Sequence, residues 1–200
     1  MAATLRLILA SGSPRRRELL SLTGIPFETA SVEIDETFDP SLSVEQNVTE
    51  ISRKKAEAVC RSLNLPTDEA VVLGSDTTVL LDSRPLGKPL DYEHAFSMLW
   101  ALQGRTHEVL TGFCILHGTE ALLGHARTIV EFEPMTPEEI DRYIDLMKPF
   151  DKAGAYGIQD PMLACFIRRI DGCYYNVVGL PLSKVYAALK PLFPLPPSRP

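Results

Sequence analysis

From residue 70 to residue 81 the chain reads Ala-Val-Val-Leu-Gly-Ser-Asp-Thr-Thr-Val-Leu-Leu, a long apolar strand with one acid, Asp76, inside it. Shorter apolar runs precede and follow it, and segments of helical spacing lie between them, the alternation that marks an α/β protein. Arg6 to Ala10 reads as a first buried strand. Ser13 then has the place of an N-cap with Pro14 at the first helical position, and the helix runs to about Thr23, where Gly24 stops it. A second strand is expected over Phe27 to Val32. Ser43-Val-Glu-Gln46 has the form of a capping box. The helix it opens, to about Leu63, places Val44, Val48, Ile51, Lys55, Ala58 and Val59 near one face.

Beyond the long strand, Asp91 caps a helix to Gln103, which Gly104 ends. Two strand-like segments follow, Thr106 to Leu116 and Leu122 to Phe132, joined by a turn around Gly118. Thr136-Pro-Glu-Glu139 is a second capping box, with a helix to about Met147. Strands are expected around Phe166 to Ile170 and Tyr174 to Val178, with a turn at Asp171-Gly172, and a last helix starts at Pro181. The two paired segments call for a mixed sheet flanked by helices. Residues 1–190 are expected to form a single α/β domain, and the proline-rich stretch 191–200 to fray as a tail.

Charge narrows the ligands. The formal net charge is −6, which argues against a nucleic-acid surface, since phosphate-backbone binders carry a basic stripe. A small anion needs only a few basic groups at one place. The four cysteines show no metal-ligand spacing and read as free thiols in a reducing compartment. The apolar run Leu7 to Ala10 is too short for an export signal, and no window approaches a membrane span of about 20 apolar residues, so a cytoplasmic protein with no membrane partner is expected.

Arg15, Arg16 and Arg17 fill the first turn of the first helix, the wrong sign for its dipole. A helix start with free N–H groups, Ser11 and Ser13 on either side of Gly12, and arginine forks suits a polyphosphate. It suits a solvated basic face equally well. No P-loop, no Gly-x-Gly-x-x-Gly and no Gly-x-Ser-x-Gly elbow occurs, and no histidine has metal spacing. Asp76 either caps a turn at Gly74 to Thr77 or lines a cavity near cations or a metal, where a water is activated. Thr77 and Thr78 flank it, and by strand alternation only one of them shares its cavity. Lys88, in Leu86-Gly-Lys-Pro89, has the position to point back toward Asp76; Lys55 alone would simply snorkel. Glu33, Asp35 and Glu36 form an acidic cluster, suited to Mg2+ or Mn2+ or to an exposed loop. Asp151-Lys-Ala-Gly-Ala-Tyr-Gly-Ile-Gln159 is either a plain loop or a ligand site: two glycines allow close backbone approach, and the Gln159 amide can pair with the imide edge of uracil or thymine or, flipped, with cytosine.

Several of these stretches, in order, resemble the Maf-like nucleotide pyrophosphatases: Leu7-Ile-Leu-Ala-Ser-Gly-Ser-Pro-Arg-Arg16, Gly74-Ser-Asp-Thr77, Leu86-Gly-Lys-Pro89, Gly104-Arg-Thr-His-Glu-Val109, Asp151 to Gln159, and Val178-Gly-Leu-Pro181. The resemblance covers nearly the whole chain. It implies an elongated mixed α/β fold, related to that of the ITPases, with two lobes around a central cleft, and a homodimer. It also implies a hydrolase, dependent on Mg2+ or Mn2+, that cleaves a nucleoside triphosphate between the α and β phosphates. By motif position Asp76 resembles the proton acceptor; Arg15, Thr77 and Gln159 fall at substrate-selective positions; Ser11, Arg16, Lys55 and Lys88 match phosphate-contacting positions; Glu36, with Asp76, falls near the metal. The Ala-Tyr-Gly-Ile-Gln form is similar to the branch acting on dTTP and UTP. The alternatives are the branch acting on 7-methyl-GTP and a nucleotide-binding regulator of cell division without turnover. Asp160-Pro161 stands where the branch often has glycine, and proline fixes φ and removes a donor.

Overall fold

The computed structural model describes residues 5–64 and 69–194. Its centre is a seven-stranded mixed sheet in the order β2-β1-β3-β5-β6-β7, with the short β4 on β3. The strands are β1 (Arg6–Ala10), β2 (Phe27–Ala30), β3 (Ala70–Leu81), β4 (Arg84–Leu86), β5 (Thr106–His117), β6 (Glu120–Phe132) and β7 (Ile167–Asp171). β1 is parallel to both β2 and β3, whereas β4 on β3 and β7 on β6 are antiparallel. The helices are α1 (Pro14–Ser21), α2 (Val44–Ser62), α3 (Tyr92–Leu102), α4 (Pro137–Met147), α5 (Tyr174–Val178) and α6 (Leu182–Leu189). The mixed sheet and its flanking helices are those expected. All four cysteines are free. Of the expected tail, residues 195–200 lie outside the described residues.

The described residues divide into two compact units, one drawn from residues 5–64, 69–76, 111–125 and 179–194, the other from 77–110 and 126–178. In the first unit, α2 begins with the expected capping box: the Ser43 hydroxyl accepts from Gln46 N–H, and the Gln46 side chain accepts from Ser43 N–H. Its buried face includes Val48, Ile51, Ser52, Ala56 and Val59. That face lies on the strands at two glycines. A Cβ on Gly74 would fall 2.0 Å from the Ser52 carbonyl oxygen, and one on Gly112 would fall 2.5 Å from Val48 backbone atoms. Only glycine lets helix and sheet backbones approach so closely. Ile8, Ala10, Ala56, Val59, Ala70, Val72 and Cys114 pack together there.

The second unit packs α3 and α4 over a core that includes Leu99, Leu102, Phe132, Ile140, Tyr143 and Ile144. The capping box opens α4, with Thr136 and Glu139 exchanging hydrogen bonds. One expectation fails. Tyr174 to Val178 is the helix α5, not a strand. Thr128 Oγ1 donates to the Cys173 carbonyl and accepts the Cys173 N–H, and the buried Asn176 amide donates to Val109 O and Thr128 Oγ1. These fixed partners turn the chain after β7, so the tertiary contacts override the strand preference of Tyr-Tyr-Asn-Val-Val. Between α4 and β7 three short 3-10 turns lie at Pro149–Asp151, Ala153–Ala155 and Pro161–Cys165.

Candidate active site

β1 runs into α1 through Ser11, Gly12 and Ser13. Ser13 caps the helix by accepting from Arg16 N–H, and Pro14 takes the first helical position, as expected. The Ser11 hydroxyl oxygen accepts from Ser13 N–H at 3.2 Å and from the Arg16 guanidinium at 3.4 Å. Arg16 Nε donates to the Gly179 carbonyl at 2.8 Å. Burial pulls the Arg16 pKa down from its ordinary value; Asp76 opposes this, Arg15 adds to it and Glu36 opposes it. The three arginines divide: Arg15 and Arg16 are half-buried, whereas Arg17 is exposed. A polar cleft of about 220 Å³ opens at this helix start, its wall including Ser11, Gly12, Ser13, Arg17, Thr29 and Ser31.

Asp76 is 7% exposed although it carries a carboxylate, so it needs a partner. Lys55 supplies it, with Nζ 2.7 Å from Asp76 Oδ1 and 2.9 Å from Glu36 Oε1. One turn before Lys55 in α2, Ser52 is the residue that touches Gly74, so the close helix–strand approach delivers the ammonium to the acid. Asp76 therefore does not merely cap a turn. It lies inside β3, and Lys55 is held between two carboxylates instead of reaching water.

Ser11, Arg16, Lys55, Glu36 and Asp76 thus converge, and Arg15 acts on the same ground electrostatically. Thr77, Lys88 and Gln159 belong to the second unit: Thr77 is half-buried in β3, Lys88 is exposed after β4, and Gln159 is exposed between the buried Ile158 and Asp160. Two supporting residues escaped sequence reasoning. Ser75 is wholly buried and donates to the carbonyls of Gly112 at 2.9 Å and Gly179 at 3.3 Å. The Gly179 carbonyl thereby serves both Arg16 and the residue before Asp76. The stretch Val178-Gly-Leu-Pro181 is visible as a motif, but a backbone acceptor leaves no side-chain signature.

Among the described residues no group of three or more His, Cys, Asp or Glu is placed to hold a metal ion. Glu36 and Asp76 do present two carboxylates joined through one ammonium. That donor set fits Mg2+, which is commonly bound through one or two carboxylates and completed by substrate phosphates and water.

Fold and side-chain cluster together define a class, a mixed α/β protein with a cation-rich site around a nearly buried acid. The chain belongs to the Maf-like protein family, whose model matches residues 6–192. It is 73% identical over 194 residues to a dTTP/UTP pyrophosphatase of Chlorobaculum tepidum, an alignment covering 97% of this chain and 98% of that protein. It is 71% identical over 199 residues to a dTTP/UTP pyrophosphatase of Chlorobaculum parvum, covering 100% of each. Among solved structures, the Staphylococcus aureus Ham1 protein aligns with a TM-score of 0.45 and 14% identity over 64% of this chain and 71% of that one.

Proposed function

We propose that this chain is a nucleoside triphosphate pyrophosphatase acting on dTTP and UTP, releasing the monophosphate and pyrophosphate. The observation that carries the reading is the Lys55–Asp76 pair with Glu36 and Arg16 beside it, in a family member 73% identical to a protein of that name. Ser11, Arg16, Lys55 and Lys88 hold the phosphates. Arg15, Thr77 and Gln159 select the nucleotide. Glu36 and Asp76 would hold a divalent cation, Mg2+ or Mn2+, which when bound offsets phosphate charge.

Asp76 orients a water for in-line attack on the α-phosphorus and takes its proton as the new P–O bond forms; the bond to the bridging oxygen breaks and pyrophosphate leaves. Lys55 neutralises Asp76 in the ligand-free chain and turns to the incoming phosphate when substrate arrives. Chemistry of this kind depends on positioning and on fixed charge more than on covalent participation. The working enzyme is a cytoplasmic homodimer; its mass in solution is read by sedimentation. Among the described residues no helix is long and apolar enough to cross a membrane.

The test is a panel of nucleoside triphosphates with Mg2+ or Mn2+ and pyrophosphate detection. dTTP and UTP should lead the panel. Asp76→Asn should lower turnover by about 10³-fold, within the range a positioned base contributes, while dTTP binding persists. Near-normal pyrophosphate release by that variant refutes the assignment.

A further inference from the structure

The turn that carries Gln159 is held in an unusual way. Asp160 N–H donates to the Gly157 carbonyl at 2.9 Å, and Asp160 then stands at the N-cap of the 3-10 turn Pro161–Cys165. An aspartate there ordinarily accepts from the backbone N–H groups that follow. The Asp160 side chain makes no such cap. Its Oδ2 instead accepts from the Tyr143 hydroxyl at 2.6 Å and lies 3.2 Å from Lys152 Nζ.

Tyr143 is wholly buried, and the same hydroxyl oxygen accepts Gly157 N–H at 3.0 Å. One phenol therefore ties both ends of the Gly157–Asp160 turn. Burial first, and then the Asp160 hydrogen bond, push the Tyr143 pKa up, which keeps it a donor. Lys152 offsets the charge of a carboxylate that is 9% exposed.

The carboxylate and the Gln159 amide nitrogen border one spot beside Gly157. A Cβ on Gly157 would lie 2.9 Å from both Asp160 carboxylate oxygens and 2.9 Å from Gln159 Nε2. Amide nitrogen and carboxylate thus share the edge of a spot that only glycine leaves open. An ionised carboxylate accepts and cannot donate, so it favours the NH2 end of the amide and turns Oε1 outward. An outward carbonyl accepts the N3–H of uracil or thymine; N3 of cytosine has no hydrogen to give.

We propose that Asp160, clamped by Tyr143 and Lys152, is a positioning residue that fixes the orientation of the Gln159 amide and through it the choice of pyrimidine. The proposal rests on the reading of Gln159 as base-selecting. The departure at Asp160-Pro161 then belongs to the selectivity of this chain.

The experiment measures kcat and KM for UTP, dTTP and CTP in the intact protein and in Asp160→Asn, Gln159→Ala and the double variant. Asparagine at 160 both donates and accepts, so it no longer chooses an end of the amide. Asp160→Asn should raise KM for UTP and dTTP about tenfold, leave kcat within about twofold, and lower the UTP-over-CTP ratio of kcat/KM about tenfold. In the Gln159→Ala background it should change that ratio no further. An unchanged ratio in Asp160→Asn, or an equal effect with and without Gln159, overturns the clamp. If the ratio is lost in Gln159→Ala and kept in Asp160→Asn, only the clamp fails. If Gln159→Ala itself leaves the ratio unchanged, the base-selecting reading of Gln159 fails, and the clamp with it. Should Asp160→Asn lose cooperative melting, Lys152→Gln provides the same readout: a lowered ratio supports the clamp and an unchanged one overturns it.

Discussion

Lys55 shows how one side chain ties stability to chemistry. Its ammonium lies between Asp76 and Glu36, with the Lys55 side chain 13% and the Asp76 side chain 10% exposed. Breaking such a pair from one side strands a charge in a place chosen for two. Lys55→Met should therefore cost about 3 kcal/mol of folding stability, read by urea denaturation, and should remove pyrophosphate release as well. A variant as stable as the parent would show that water or Arg16 already satisfies Asp76. At this scale the sequence was partly legible. An acid in the middle of an apolar strand announces itself, because the cost of burying it needs an explanation. Lys55 does not, since a lysine on the apolar side of a helix ordinarily snorkels. Its partners lie 21 and 19 positions away along the chain, and only the fold brings them to its head.

Elements were legible where local chemistry marks them. The capping boxes at Ser43 and Thr136, the cap at Asp91 and the proline start of α1 were all readable, because each satisfies orphan N–H groups within one turn. α5 was not, because its conformation is set by Thr128 and Val109, more than forty residues earlier. The seat of α2 is likewise a matter of backbone, not side chains. Gly74→Ala would drive a methyl into the Ser52 carbonyl. The helix would have to withdraw, costing about 3 kcal/mol as overpacking does and pulling Lys55 from Asp76. The expected result is a lowered melting temperature with lost turnover, and crystals of the variant would show α2 displaced. β5 carries a second consequence. His107 is 2% exposed, its Nε2 is 2.7 Å from the Tyr156 hydroxyl, and its ring meets Phe132 edge-on at 4.8 Å. Burial lowers its pKa from 6.5 to about 4. Between those values the unfolded chain binds the extra proton, so this stability is fully present above pH 6.5 and is lost as the pH falls toward 4. The slope should approach roughly 1.4 kcal/mol per pH unit. His107→Gln should flatten it in urea titrations, and equal slopes for parent and variant would contradict the assignment.

For the molecule as a whole, ligand and fold are linked. A nucleotide that binds only the folded chain at a hundred times its Kd should add about 2.7 kcal/mol of stability. Asp76→Asn should keep that gain with dTTP, measured calorimetrically, even as turnover falls; loss of both would make Asp76 a binding residue first. The α/β class and mixed sheet were legible in the alternation of apolar and helical segments, but the assembly of the site depends on long-range closure that no local pattern records. Arg16 and the Gly179 carbonyl are 163 positions apart, and Ser75 meets the same carbonyl from 104 positions away. That carbonyl has a consequence for biosynthesis. Chains fold from the N-terminus as they are made, so β1, α1 and most of β3 leave the ribosome long before residue 179 does. Until Gly179 emerges, Arg16 and Ser75 lack the acceptor they share in the finished fold. A nascent chain can thus hold much of its sheet before this corner of the site closes, which waits for residue 179.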